Sequence, residues 1–580
     1  MNLFADIRGL VISCLDAMAA DGTLPRELAT SAVTVEPPRD AAHGDMATNA
    51  AMVLAKSAKI NPRVIADALA DRLIADGRVA AVDVAGPGFL NLRLMPEVWQ
   101  GLVKAVLSEP TFGQSKLGAN KKMLIEYVSA NPTGPLHVGH TRGAVFGDAL
   151  ASLLDYAGYN VTREYYINDG GAQVDVLARS VYLRYQEAHG QQVAFEDGTY
   201  PGDYLIPVGE ALKERVGSAY LNKSEDVWLA DVRDFSTDAM MNLIRSDLDL
   251  LGIKIDSFFS EKDLYKSGLI EKAIAELDAK GLIYRGTLEP PKGKLPNDWE
   301  PREQILFKST EHGDDVDRPV QKSDGTWTYF APDIAYHYGK VQRGFDQLID
   351  VFGADHGGYV KRMKAAVSAL SDGKVPLDIK LTQLVKLMRN GKEFKMSKRA
   401  GTFVMLSDVV AQAGADVTRF HMLTRKNDAP LDFDFAKVLE QSKDNPVFYV
   451  QYAHARVNSV MGKANAAGIA VDDATLAVAD LTKLSHEAEL GVAKKLAEWP
   501  RLVEIAANGH EPHRIAFYLY ELASELHGLW NKGNDDVNLR FLQDGDNATT
   551  QAKIALIRAV AVVIAAGLGI LGVNPAKEMR

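Results

Sequence analysis

Residues Lys121 to Asp169 read "KKMLIEYVSANPTGPLHVGHTRGAVFGDALASLLDYAGYNVTREYYIND", and three patterns succeed one another within them. A short apolar run ends in a glycine- and proline-containing loop. Apolar residues at 145, 149, 150, 153, 154 and 157 then keep a helical period, and "NVTREYYIND" returns to strand chemistry. Strand, loop, helix and strand in that order make a βαβ unit, the building block of a parallel sheet covered by helices. In such sheets the loop that turns from strand to helix binds phosphates, because the helix N-terminus offers unsatisfied N–H groups and the positive end of its dipole.

His137 and His140 stand at that junction. A pair three residues apart shares a helix face, so a metal is geometrically possible. The stretch nevertheless lacks the central glutamate and the four-residue spacing of helical zinc sites, and it offers no carboxylate before Asp148. We therefore expect no metal. Both rings could also simply pack or cap the helix, while Gly139 between them leaves the backbone open to a flat ligand such as a purine. A second signal lies far along the chain, where "GKEFKMSKRAGTF", residues 391 to 403, sets Lys395, Lys398 and Arg399 between Gly391 and Gly401. Alone it reads equally well as a solvated turn. Together the two segments offer what a triphosphate needs: imidazole donors at a helix end, and ammonium groups that follow charge as it develops. Nucleotidyl transfer asks the protein for little more than position and charge.

A chain of 580 residues predicts several cores rather than one. Its single cysteine, Cys14, excludes disulfides within the chain and thiolate-rich metal sites, and it fits a cytosolic setting. A net charge of −11 argues against a broad basic surface, so any nucleic-acid partner must be met locally. The N-terminal "MNLFADIRGLVISCLDAMAA" has no basic segment or cleavage site and reads as a first helix. Near the other end, "AVAVVIAAGLGILG", residues 559 to 572, is uncharged but too short to span a bilayer, and it predicts a buried helix in a soluble protein.

Residues 1–110 read as a separate α+β unit, in which "GPGFLN" lacks the third glycine of a dinucleotide fingerprint and marks a turn. A Rossmann-type parallel-sheet domain is expected over 120–400 with an insertion at about 170–320, then a connecting helical segment at 401–445. From 446 to 580 strand signals fade, and apolar residues at 515, 518, 519, 522, 526 and 529 predict one helix of an all-α domain.

"HVGH" and "KMSK", in this order, resemble the two signatures of class I aminoacyl-tRNA synthetases. The longer runs "EYVSANPTGPLHVGH", "YYINDGGAQ", "TYFAPDIAYH", "VFGADHGGYVKRMKAA", "KMSKRAGTFV" and "NPVFYVQYAHAR" resemble the arginyl-tRNA synthetases, as do "HGDMATNAAMVLAK" and "VAGPGFLNLRL". Two positions depart mildly: Val138 where the first signature usually has isoleucine, and "ADVTRF", with Asp416 to Arg419, where relatives often have Asp-Ala-Leu-Arg.

The resemblance implies adenylation of L-arginine by ATP with Mg²⁺, dependent on bound tRNA, and transfer to the terminal adenosine of tRNA(Arg). Catalysis falls to His137, His140, Lys395 and Lys398, and ATP binding to Gly139, Gly353, Asp355, His356, Met396 and Ser397. A plain loop turn remains open for Asp355 and His356. Tyr329 and Asp333 are implied for the guanidinium, with Glu126 nearby and Asn131 on the α-amino end. The alternatives are a helix N-cap for Asp333 and a surface charge at a strand end for Glu126.

The C-terminal domain becomes an anticodon-binding domain, with Tyr449 and Tyr452 stacking on anticodon-loop bases or packing inside their helix. Phe89 and Asn91 are implied in contacts with the tRNA D-loop, a buried strand position being the alternative for Phe89. No structural metal, no membrane and a cytoplasmic monomer complete the expectation.

Overall fold

Met123, Leu124 and Ile125 are all buried, as a strand covered on both faces requires, and Lys122–Glu126 is the central strand of a five-stranded sheet. In the computed structural model, which describes residues 1–288, 302–393 and 404–579, the sheet runs Leu377–Thr382, Gln347–Gly353, Lys122–Glu126, Asn160–Ile167, Ser257–Ser260, every neighbouring pair parallel. The second and third strands in sequence lie to one side of the first, the fourth and fifth to the other. The order therefore reverses between Lys122–Glu126 and Gln347–Gly353, and a crevice opens outside their carboxyl ends. Helix Val138–Tyr156 follows the first strand, and its inward face of Val145, Ala149, Leu150, Leu153 and Leu154 is buried.

The span 170–320 is not one insertion. Helices Ala172–Ala188, Ile206–Val216 and Glu225–Leu250 share a core of their own, in which Tyr182 stacks 3.9 Å from Trp228. Ser257–Ser260, inside the same span, then returns to the parallel sheet as its edge strand. Four residues are too few to show a strand period. Ile283–Gly286, Gln304–Phe307 and Arg318–Gln321 form a separate antiparallel sheet. The segment 401–445 carries the expected helices Leu406–Ala413 and Ala415–Met422, but Leu431–Asp434 is a strand, parallel to Val385–Arg389. Its alternation in "LDFD", with Leu431 and Phe433 buried, was the period-two signal.

At the N-terminus, helices pack on a four-stranded antiparallel sheet. Val79–Ala85 and Phe89–Leu94 form its hairpin, turned at Gly88, where φ is +137° and a Cβ would lie 3.0 Å from the Pro62 carbonyl oxygen, so a side chain is disfavoured. This is the turn that "GPGFLN" predicts. Helix Pro96–Ser108 leaves that unit and packs against the C-terminal helices Glu487–Gly509 and Asn547–Ile570. The C-terminal domain is helical, with Pro446–Ala466 and His513–Asp535 completing its long helices. Residues 515, 518, 519, 522, 526 and 529 are all buried, as their spacing requires. Asn547–Ile570 is apolar and long enough to cross a membrane, yet 72% of its most apolar window is enclosed by the fold.

Candidate active site

His137 is the N-cap of helix Val138–Tyr156, and its Nδ1 accepts the Gly139 N–H at 3.0 Å. The His137 N–H in turn donates to Nδ1 of His140 at 3.3 Å, and the two half-buried rings stack with centroids 3.8 Å apart. Capping and ligand presentation are thus not alternatives here. Reciprocal capping fixes both imidazoles at the helix N-terminus, above the crevice. Gly139 serves the pair first, since a Cβ there would lie 2.8 Å from the His137 ring.

The basic segment's Lys395, Met396, Ser397, Lys398, Arg399 and Gly401 lie outside the described residues, but its flanks do not. On the exit side the Val138 N–H donates to Val404 O at 3.2 Å and the Leu406 N–H to Leu136 O at 2.9 Å. Arg142 on the histidine helix donates to Gln383 O, ahead of the segment, at 3.1 Å, and to Lys426 O and Ala429 O, beyond it, at 2.8 and 2.7 Å. Burial pushes that guanidinium down to about 10. The described flanks of the basic segment are therefore bonded to the histidine helix and the loop before it. Asp247 and Tyr204 hold the intervening loop, accepting from the Leu136 N–H and donating to Thr133 O, each at 2.8 Å.

Gly353 ends the strand on the other side of the crevice, and Asp355 and His356 follow it in a short 3₁₀ turn, both exposed. Asn131 is also exposed and donates to the Gln173 side chain at 2.8 Å. Asp333 is no N-cap: helix Phe330–Gln342 is capped by Tyr329, and Asp333 sits in its first turn. Its Oδ2 accepts from the Tyr359 hydroxyl at 2.7 Å. Burial nevertheless pushes this carboxyl up to about 6, with Glu126 and Asp350 adding to the rise. Tyr329 stands 92% exposed at the rim.

Glu126 is no surface charge. It is 5% exposed, with Oε2 accepting from Lys340 Nζ at 2.6 Å and Oε1 from the Ser129 hydroxyl at 2.9 Å.

Sequence reading missed Glu261, Tyr166 and Tyr265. Burial raises the Glu261 carboxyl, against a hydrogen bond from the Gly170 N–H, and the charge of Asp333 adds to the rise. Burial, then the charges of Glu261 and Asp333, also drives the Tyr166 and Tyr265 phenols upward. Asp333 and Glu261 therefore lie within electrostatic reach of each other and of both tyrosines, and neither carboxylate has an ion pair among the described residues. Such a grouping suits a planar, multiply donating cation. Glu261 begins a short helix after the four-residue strand, inside the supposed insertion, and only the "YYIND" strand hinted at aromatic walls.

Residues 6–94 match the family model for the arginyl tRNA synthetase N-terminal domain, residues 102–288 that for the class I (R) tRNA synthetase catalytic domain, and residues 450–579 the DALR anticodon-binding domain. The arginine–tRNA ligase of Ruegeria pomeroyi is 74% identical over the full length of both chains, and that of Roseobacter denitrificans 73%. This chain belongs to the arginyl-tRNA synthetases. The arginyl-tRNA synthetase of Thermus thermophilus shares its fold over the whole of both chains, with a TM-score of 0.73 at 20% identity.

The residues that the family resemblance assigned to RNA divide in this enzyme. Phe89 is 44% exposed beside the hairpin turn, so it is not a buried strand residue. Asn91 is 8% exposed and lies mid-strand inside the sheet, paired between Ala47 and Asp83. Tyr449 and Tyr452 are half-buried on helix Pro446–Ala466. Tyr449 lies 4.5 Å from the His527 ring, and Arg456 is wedged 4.3 Å from Tyr452 and 4.5 Å from Trp530. Their rings both pack and present a face.

Proposed function

We propose the following course for this chain, an arginine–tRNA ligase that joins arginine to tRNA(Arg) at the expense of ATP. ATP, accompanied by Mg²⁺, occupies the crevice at the strand-order reversal. Its phosphates meet the helix N-terminus and the imidazoles of His137 and His140, with Gly353, Asp355 and His356 on the nucleoside side. Lys395 and Lys398 stabilise the departing pyrophosphate, each such donor contributing on the order of 2–4 kcal/mol in the transition state. Asn131 meets the α-amino end of arginine, and the guanidinium enters between Asp333, Glu261 and the tyrosines. Its carboxylate then attacks the α-phosphorus; arginyl-adenylate forms and pyrophosphate leaves. The terminal adenosine hydroxyl of tRNA takes the arginyl group and AMP departs. Tyr449 and Tyr452 contact the anticodon loop, and Phe89 the body of the tRNA. The chain works as a cytoplasmic monomer.

The observation that carries this reading is Asp333 in the first turn of helix Phe330–Gln342, which meets the Tyr359 hydroxyl at 2.7 Å and has no ion pair among the described residues, while burial raises its carboxyl. It is tested by ATP–pyrophosphate exchange with each amino acid, with and without total tRNA. Arginine alone should support exchange, and only with tRNA present. Exchange driven by lysine as well as by arginine would remove the proposed guanidinium pocket.

A further inference from the structure

Arg419 is 1% exposed, and its guanidinium points in three directions. Nη2 pairs with Asp148 on the histidine helix, Nη1 donates to Leu251 O at the end of helix Glu225–Leu250 at 2.8 Å, and Nε donates to Leu571 O at 2.9 Å. Leu571 ends the last helix of the C-terminal domain. The next residue, Gly572, has φ +67°, and a Cβ there would lie 2.1 Å from Nη2, so the chain beyond the helix is shaped around this guanidinium. Asp416, one turn before Arg419, accepts from the Asn574 backbone and side chain at 3.0 and 3.2 Å.

The same tail is gripped from the other side. Gln451 accepts from the Ala576 N–H and donates to Asn574 O, both at 2.7 Å, and His454 Nδ1 lies 2.7 Å from Ala576 O. Gln451 and His454 belong to helix Pro446–Ala466, which carries Tyr449 and Tyr452. Continuous hydrogen bonds thus lead from that helix through residues 571–576 to Arg419, and through Asp148 to the helix that His137 caps. A lysine could pair with Asp148, but it could not serve all three acceptors in their fixed directions.

We propose that Arg419 is a positioning residue that couples the RNA-bound state of helix Pro446–Ala466 to the placement of His137 and His140. This rests on the RNA role proposed above for Tyr449 and Tyr452. Arg419 touches no substrate; it holds the histidine helix in register with a tail whose other anchor moves with the RNA-binding helix.

The test uses the full-length enzyme with Arg419→Lys, Asn574→Ala and Tyr452→Ala, alone and combined, and measures kcat for charging at saturating tRNA alongside tRNA Kd. Asn574 is exposed, so its variant reads the same link where Arg419→Lys fails to fold. Arg419→Lys and Asn574→Ala should lower kcat about tenfold and about threefold, with tRNA Kd within about twofold of wild type. Each combined with Tyr452→Ala should cost less than the product of the single effects, the sign of a shared path. Unchanged kcat in Asn574→Ala, a loss accounted for wholly by weaker tRNA binding, or strictly multiplicative effects with Tyr452→Ala would each overturn the coupling. A wild-type enzyme that fails to charge tRNA(Arg) with arginine would instead overturn the function on which the coupling rests.

Discussion

Helix Phe330–Gln342 faces two groups of carboxylates and treats them in opposite ways. Along its body lies a row that crosses the parallel sheet, since Glu164, Glu126 and Asp350 are register partners on adjacent strands. Each of these has a cation: Lys340 reaches Glu126 and Asp350, His337 reaches Asp350 at 2.8 Å, and Arg343 pairs with Glu164. Burial alone would push Asp350 upward, but Lys340 and His337 hold it below the usual carboxylate range. In the first turn of the same helix, Asp333 has a tyrosine hydroxyl instead, and its carboxyl rises. A buried negative charge is costly unless it is paired. Where the fold supplies the cation the charge is part of the architecture; where it does not, the proposed function gives the charge to the substrate.

The largest effect expected from this contrast is on stability. Lys340→Met leaves buried Glu126 without a cation and Asp350 with His337 alone, and should lower the unfolding free energy by about 3–5 kcal/mol, read by urea denaturation. Asp333→Asn should do the reverse to each property. It removes a desolvated charge, so the unfolding midpoint should hold or rise, while kcat/KM for arginine falls about 100-fold and KM for ATP stays within about twofold. If Asp333→Asn unfolds like Lys340→Met, the two groups are not distinct in kind. Glu261→Gln should cost about tenfold in kcat/KM for arginine, because it keeps the shape and loses one of two charges.

The sequence makes the sheet and the histidine helix legible, because a short apolar run, a glycine loop and period 3.6 follow one another without interruption from Met123 to Tyr156. It also brings His137 to the helix start, since that is where a polar side chain caps. What it hides is charge compensation. Glu126, Glu164 and Asp350 lie between 38 and 224 residues apart, and nothing local tells that strand pairing sets them side by side or that Lys340 covers them. For the same reason a cap stays open as the alternative for Asp333, and a surface charge for Glu126, until the sheet is closed. Glu261 is hidden differently: the strand before it spans only Ser257–Ser260, so the segment carries no period that would mark it as part of the core.

The same contrast also sets the dependence of arginine use on pH, and its sign follows from the direction of the Asp333 shift. The carboxyl titrates near 6 in the folded enzyme against 3.8 for the exposed group. Between those values the folded chain holds a proton that the unfolded chain has lost, so this group's contribution to stability is full at low pH and disappears as pH rises through 6. Arginine binding needs the ionised form, and the guanidinium stays charged throughout. At pH 5 only about a tenth of the carboxyl is ionised, so KM for arginine should fall about tenfold from pH 5 to pH 7. Saturating arginine should also protect the enzyme against thermal unfolding more strongly at pH 7 than at pH 5, because the ligand then neutralises a charge that the free enzyme bears at a cost. Asp333→Asn should flatten both trends. If KM for arginine still falls tenfold in that variant, the titrating group lies elsewhere, and the pocket's charge is not the one that selects arginine.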